Sequence, residues 1–144
     1  MTPTRHFVQR MRSLLQGLMG AVAGAWLALW IGGAGLIVGL LIGLFESVEL
    51  VHEPLETTLR IIATMGAVGG ILSAVPHSRR AGLVRALVLH AVAFGALAAA
   101  DPGAPLMKVW LFAVGVAAGY ASGVGGAAAR LVSDSFTAAP AARS

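Results

Sequence analysis

The sequence predicts an all-α integral membrane protein, a four-span up-down-up-down helical bundle with glycine-rich helix interfaces. Three observations lead there. Of the 144 residues 58% are hydrophobic and only 11% charged, against about 45–50% and about 25% in an ordinary soluble domain. The apolar residues are gathered into four long blocks. The charges that separate those blocks alternate in sign along the chain.

The first thirteen residues, 1–13, form a basic tail carrying Arg5, Arg10 and Arg12. A basic stretch before an apolar run is how a signal peptide begins. A signal peptide's apolar region is about 7–15 residues long and closes on a small-residue cleavage site. The block here runs from Leu14 to Phe45, and the AVAGA stretch at Ala21–Ala25 falls too early in it, so a retained span is expected.

That first span, 14–45, is broken only by Gln16 near its start. A run of about 18 apolar residues already reads as a membrane crossing, and a soluble helix would need a polar face. Its helix would be about 48 Å long at about 1.5 Å per residue, against a hydrocarbon core of about 30 Å. It must tilt, bend or protrude. The glycines of IGGAG, Ile31–Gly35, mark the expected bend, because glycine weakens a helix. A re-entrant hairpin at that point is the rival, disfavoured because Leu36–Phe45 is too short to cross alone.

An acidic loop, 46–56, follows and holds Glu46, Glu49, Glu53 and Glu56, four of the six acidic residues. Spacings of three and four would place them on one face of a helix. Glu49 and His52 also match the Glu-x-x-His spacing of carboxylate metal bundles, but that site takes two such motifs and one exists here. Pro54 breaks the stripe, since it lacks an N–H and pushes Glu53 from helical geometry. It fits better as the first residue of the next helix, with Glu56 in the first turn. The four carboxylates then mark the outer face, where they could attract cations.

The remaining spans are expected at 57–75, 82–100 and 106–129, with Arg60, Arg85 and Lys108 near their ends, where long side chains reach the headgroups. The connections PHSRR and DPGAP are short and rich in turn formers, which makes neighbouring helices antiparallel. Residues 130–144 read as a short tail that is disordered. Arg79, Arg80 and Arg130 recur on the side of the N-terminal arginines, while the carboxylates of the first loop fall on the other. The positive-inside rule therefore puts both termini in the cytoplasm. Nine arginines to one lysine, with abundant alanine and glycine, suggest a high-GC bacterial genome and hence the inner membrane.

Small residues recur four apart on every span: Gly20 and Gly24, then Gly35, Gly39 and Gly43, in the first; Gly66, Gly70 and Ala74 in the second; Ala91, Gly95 and Ala99 in the third; Gly115, Gly119 and Gly123 in the fourth. Small residues at that spacing let helix backbones touch where lipid removes any burial force. They serve packing within the bundle or self-association through the first or fourth span.

His90 is the one titratable residue near the middle of a span, and such a residue is by default a functional candidate. A haem or metal site needs a second ligand at that depth, and the sequence offers no other His, Asp, Glu or Cys there. The bland alternative is a neutral histidine bonded across helices to Thr64, Ser73, Tyr120, Ser122 or a backbone carbonyl. No cysteine is present, which removes thiolate chemistry. No phosphate loop or nucleophile motif appears, and the sparse basic residues do not fit nucleic acid. No enzyme activity and no cofactor are expected. The expected function is an accessory or structural membrane component, packing with a second copy or a larger membrane protein. A small oligomeric proton or cation transporter using His90 is the alternative, and a holin-type lesion former a weaker one.

Overall fold

The computed structural model describes residues 3–43, 52–74, 79–100 and 105–138. It contains four α-helices and, among the described residues, no strand: α1 (Pro3–Leu41), α2 (His52–Ala74), α3 (Arg79–Ala100) and α4 (Pro105–Ala138). All four are long and apolar enough to cross a membrane, over Phe7–Leu41, Glu56–Ala74, Arg80–Ala100 and Pro105–Ser135.

Each helix begins before its expected span, α1 by the most, and α4 also ends later. α1 begins at Pro3, so the basic tail is helical. Proline suits the first turn, where its missing N–H has no intrahelical partner to lose. α4 continues past Ala129 to Ala138, which replaces the expected disordered tail over that stretch; residues 139–144 lie outside the described residues. The two extensions hold each other. Arg12 Nη2 lies 2.7 Å from Asp134 Oδ1 and Gln16 Nε2 donates to the same oxygen at 3.1 Å. α2 starts at His52, which places Pro54 in its first turn.

The IGGAG segment neither breaks α1 nor turns it back into a hairpin; the helix is continuous through it. Its glycines make room for neighbours. A Cβ on Gly32 would lie 2.9 Å from Ile62 Cδ1, and one on Gly35 2.7 Å from Val114 Cγ2. Trp110 Nε1 donates to the Gly35 carbonyl at 3.1 Å, tying α4 to α1. The helix ends at Leu41, and Gly43 two residues on takes a φ of 73°. Gly43 is exposed, and among the described residues nothing lies within 4 Å of its Cβ position. It is a stop residue, then, not the packing residue its spacing suggested. Glycine suits that place because it takes positive φ without strain.

α1 packs on α2 and α4, α3 packs on α2 and α4, and α2 touches α4 across the short diagonal. Gly20 meets Ala74 and Gly32 meets Ile62; His90 meets Gly119 and Leu83 meets Gly123. Numbers fall on one helix as they rise on the other, so sequence neighbours are antiparallel.

The bundle has two halves. Toward the N-terminus of α1, backbones touch. The Gly20 Cβ position is 2.7 Å from the Gly70 carbonyl oxygen, and the Gly66 position is 2.9 Å from the Gly24 oxygen. Gly125 of α4 meets Ala23 and its neighbour Gly126 meets Ser73, with Cβ positions 2.8 Å from the Ala23 oxygen and the Ser73 Cβ. Toward the other end, side chains fill the space: Ala28, Leu36, Ile62, Phe94, Val114 and Ala118 form the buried cluster, with Trp110 and Leu111 against it. In α4, Gly115, Gly119 and Gly123 face Phe94, His90 and Leu83 of α3. That stripe lies inside the chain, so it does not offer the self-association surface its spacing also allowed. Gly39 is buried.

Glycine-to-alanine changes should separate by position. Gly70→Ala is expected to lose about 1–3 kcal/mol, the usual range for overpacking, because its Cβ would run into the Gly20 backbone. Gly17→Ala, with nothing within 4 Å, should be neutral or slightly stabilising. Thermal unfolding in detergent measures both.

Candidate functional site

Two places concentrate polar groups inside this apolar frame. The first surrounds His90. The side chain is completely buried and sits where the backbone-to-backbone half meets the half filled by side chains. The absence of a side chain at Gly119 admits it: a Cβ there would lie 2.6 Å from His90 Cβ. Its ring stacks on Phe94, centroids 6.3 Å apart and planes within 3°. Its Cε1 edge faces Gly69 of α2, 3.1 Å from that glycine's Cβ position, and Ser122 Oγ faces the same position.

The hydrogen bonds fix the chemistry of the ring. His90 Nδ1 is 2.9 Å from the Ala86 carbonyl, one turn back on α3. A carbonyl only accepts, so Nδ1 carries the proton. In the neutral ring Nε2 is then a bare acceptor, and among the described residues it has no hydrogen-bond partner. The expected cross-helix partners point elsewhere. Ser122 donates to Gly119 O at 2.9 Å and Ser73 to Gly69 O at 3.0 Å, each on its own helix. Thr64 donates to Arg60 O, and Tyr120 is exposed. Backbone carbonyls of one turn earlier satisfy small hydroxyls at little strain. The histidine is thus bonded within its helix, not across to a neighbour.

The second place lies where α1 begins and α4 ends. Asp134 accepts from Arg12 and Gln16, and Arg130 Nε stands 3.9 Å from its other oxygen. The i, i+4 spacing of Arg130 and Asp134 is readable in the sequence, but both fall in the stretch expected to be a tail. Nothing in a single sequence pairs Arg12 with a residue 122 positions away.

The acidic loop is only partly in view. Glu46 and Glu49 lie outside the described residues, and Glu53 is described in backbone only. Glu56 pairs with Arg60, i to i+4 on α2, with both side chains exposed. Such a pair contributes little. Among the described residues no group of three His, Cys, Asp or Glu could hold a metal ion.

These four helices mark the chain as a multi-pass membrane protein. No protein-family model, curated protein or solved structure matches it.

Substitutions at His90 test the packing. His90→Leu removes the unpartnered nitrogen while keeping bulk, and stability should stay within about 1 kcal/mol, because losing an unpaired buried polar atom offsets an imperfect fit. His90→Ala opens a cavity against Phe94 and Gly119 and should lose about 2–4 kcal/mol. Unfolding curves in one detergent compare the two directly.

Proposed function

We propose that this chain is an accessory or structural component of a bacterial inner membrane, with both termini in the cytoplasm, acting through helix packing with a second copy or a larger membrane protein. Glycine-mediated contact of α1, α2 and α4 holds the monomer together and leaves the outer side of α1 as the working face. The observation that carries this reading is a pair of indoles. Trp26 and Trp30 are 62% and 63% exposed and form an edge-to-face pair with centroids 6.2 Å apart. They flank Ala28, which packs on Gly66 near the middle of the α2 span. Tryptophan facing lipid normally sits at the headgroup level, where its N–H finds a partner. At mid-span, hydrocarbon offers none, whereas a protein neighbour offers both an aromatic socket and an acceptor.

Charge distribution supports the orientation. Ser73 of α2 meets Gly82 of α3 and Gly126 of α4, and Ala74 meets Gly20 of α1. The start of α1, the end of α2, the start of α3 and the end of α4 therefore share one side. Arg10, Arg12, Arg80, Arg85 and Arg130 lie toward it with Asp134, while Glu56 lies toward the other with Arg60 and Lys108, so the basic excess is on the first side. Basic residues favour the cytoplasmic side. Reporter fusions placed after Glu53 and after Ser144 should report opposite sides of the membrane; the same side would remove the four-span orientation.

The second reading, a proton or cation transporter, has one observation in its favour: the unpartnered His90 Nε2. Reconstituted liposomes decide between the two. The accessory reading predicts no proton or cation flux, together with a self-complex or a co-purifying membrane protein that Trp26→Ala/Trp30→Ala weakens. A flux abolished by His90→Leu would overturn it.

A further inference from the structure

Two cavities adjoin at the basic end of the bundle. One, of about 510 Å³, is lined by Arg10, Arg12, Gln16, Arg130 and Asp134 among others. The other, of about 460 Å³, is lined by Phe7, Val8, Met11, Leu15 and Met19, and Arg12 belongs to its wall as well. One is a polar cavity with three guanidinium groups to one carboxylate. The other is an apolar trough on the outer side of α1. The arginine they share joins them.

The carboxylate organises the arginines without neutralising them. Asp134 holds Arg12 at 2.7 Å and stands 3.9 Å from Arg130. Arg10 makes no ion pair among the described residues. The cavity therefore keeps a surplus of positive charge even with Asp134 ionised. Arginine forks match phosphate oxygens two at a time. Basic pockets between helices at the cytoplasmic membrane surface favour anionic headgroups.

We propose that the two cavities together bind one anionic phospholipid, its phosphate among Arg10, Arg12 and Arg130 and an acyl chain running inward along the Leu15–Met19 end of the trough. Charge selects the headgroup class. The apolar half selects a lipid over a free phosphate, because a soluble anion would use only the polar cavity and leave the trough uncovered. The inference rests on membrane insertion, and it is independent of whether the protein serves a partner or carries an ion.

The test is native mass spectrometry of the full chain, released from detergent carrying equal amounts of phosphatidylglycerol and phosphatidylcholine. The expected result is retention of one phosphatidylglycerol, preferred by about tenfold. Arg10→Gln should cut that preference by about fivefold, the share expected of one arginine near an anionic headgroup. Arg10 has no ion-pair partner to disturb among the described residues, and an unchanged circular dichroism spectrum controls for folding. Millimolar inorganic phosphate should not displace the lipid. Equal retention of the two lipids, no effect of Arg10→Gln, or displacement by inorganic phosphate would each overturn the proposal. Vesicle flotation of the same preparation shows separately whether the chain inserts, so a failed insertion is distinguished from a failed lipid preference.

Discussion

Lipid tails are as apolar as leucine, so hydrocarbon supplies no burial force to bring helices together. What brings α1, α2 and α4 together is contact between backbones. The carbonyls of Gly20 and Gly70 face one another's bare Cα positions, and those of Gly24 and Gly66 do the same one turn along. Facing carbonyls and Cα–H groups at helix interfaces contribute about 0.5–1 kcal/mol each, and close approach adds dispersion along the whole seam. The adjacent glycines of α4, Gly125 toward α1 and Gly126 toward α2, let the third backbone enter the same contact. No other residue type fits, because a Cβ at any of these places would overlap backbone.

The remaining features follow from that contact. With the basic-side half held backbone to backbone, the other half is filled by Leu36, Ile62, Phe94 and Val114, and pinned by the Trp110 indole on the Gly35 carbonyl. α3 reaches α4 through a separate row in which Gly115, Gly119 and Gly123 receive Phe94, His90 and Leu83. His90 sits at the change from one mode to the other, with one nitrogen bonded to its own helix and the other unpartnered. On the basic side, the elongated ends of α1 and α4 meet through Arg12, Gln16 and Asp134.

Much of this is legible along the chain. Four apolar blocks separated by turn formers predict four helices, because hydropathy is a local property and lipid enforces helical hydrogen bonding. His90 stands out for the same reason, as a titratable residue in an apolar run. Helix ends are less legible. Arg5 to Arg12 and Arg130 to Asp134 read as tails because charge ends a hydrophobic window, whereas a helix continues as long as its backbone bonds and end contacts hold. Gly20 with Gly24 and Gly66 with Gly70 show the four-residue spacing in the sequence, but spacing does not rank them above the other glycines. Gly43 shares the spacing of Gly35, yet only the path of the chain shows that one receives Val114 and the other lies just past the helix end. Gly125 and Gly126 break the four-residue rhythm, so spacing alone does not single them out. The pairing of Arg12 with Asp134 needs the fold itself.

The central claim is that the backbones of α1 and α2 touch at Gly20, Gly24, Gly66 and Gly70. Solid-state nuclear magnetic resonance on isotope-labelled glycine, with the unmodified chain in lipid bilayers, measures this without perturbing the packing. Direct carbon–carbon cross-peaks between Gly70 and both Gly20 and Gly24 are the predicted result. Their absence in a spectrum that resolves the sequential contacts of the same glycines would contradict that claim.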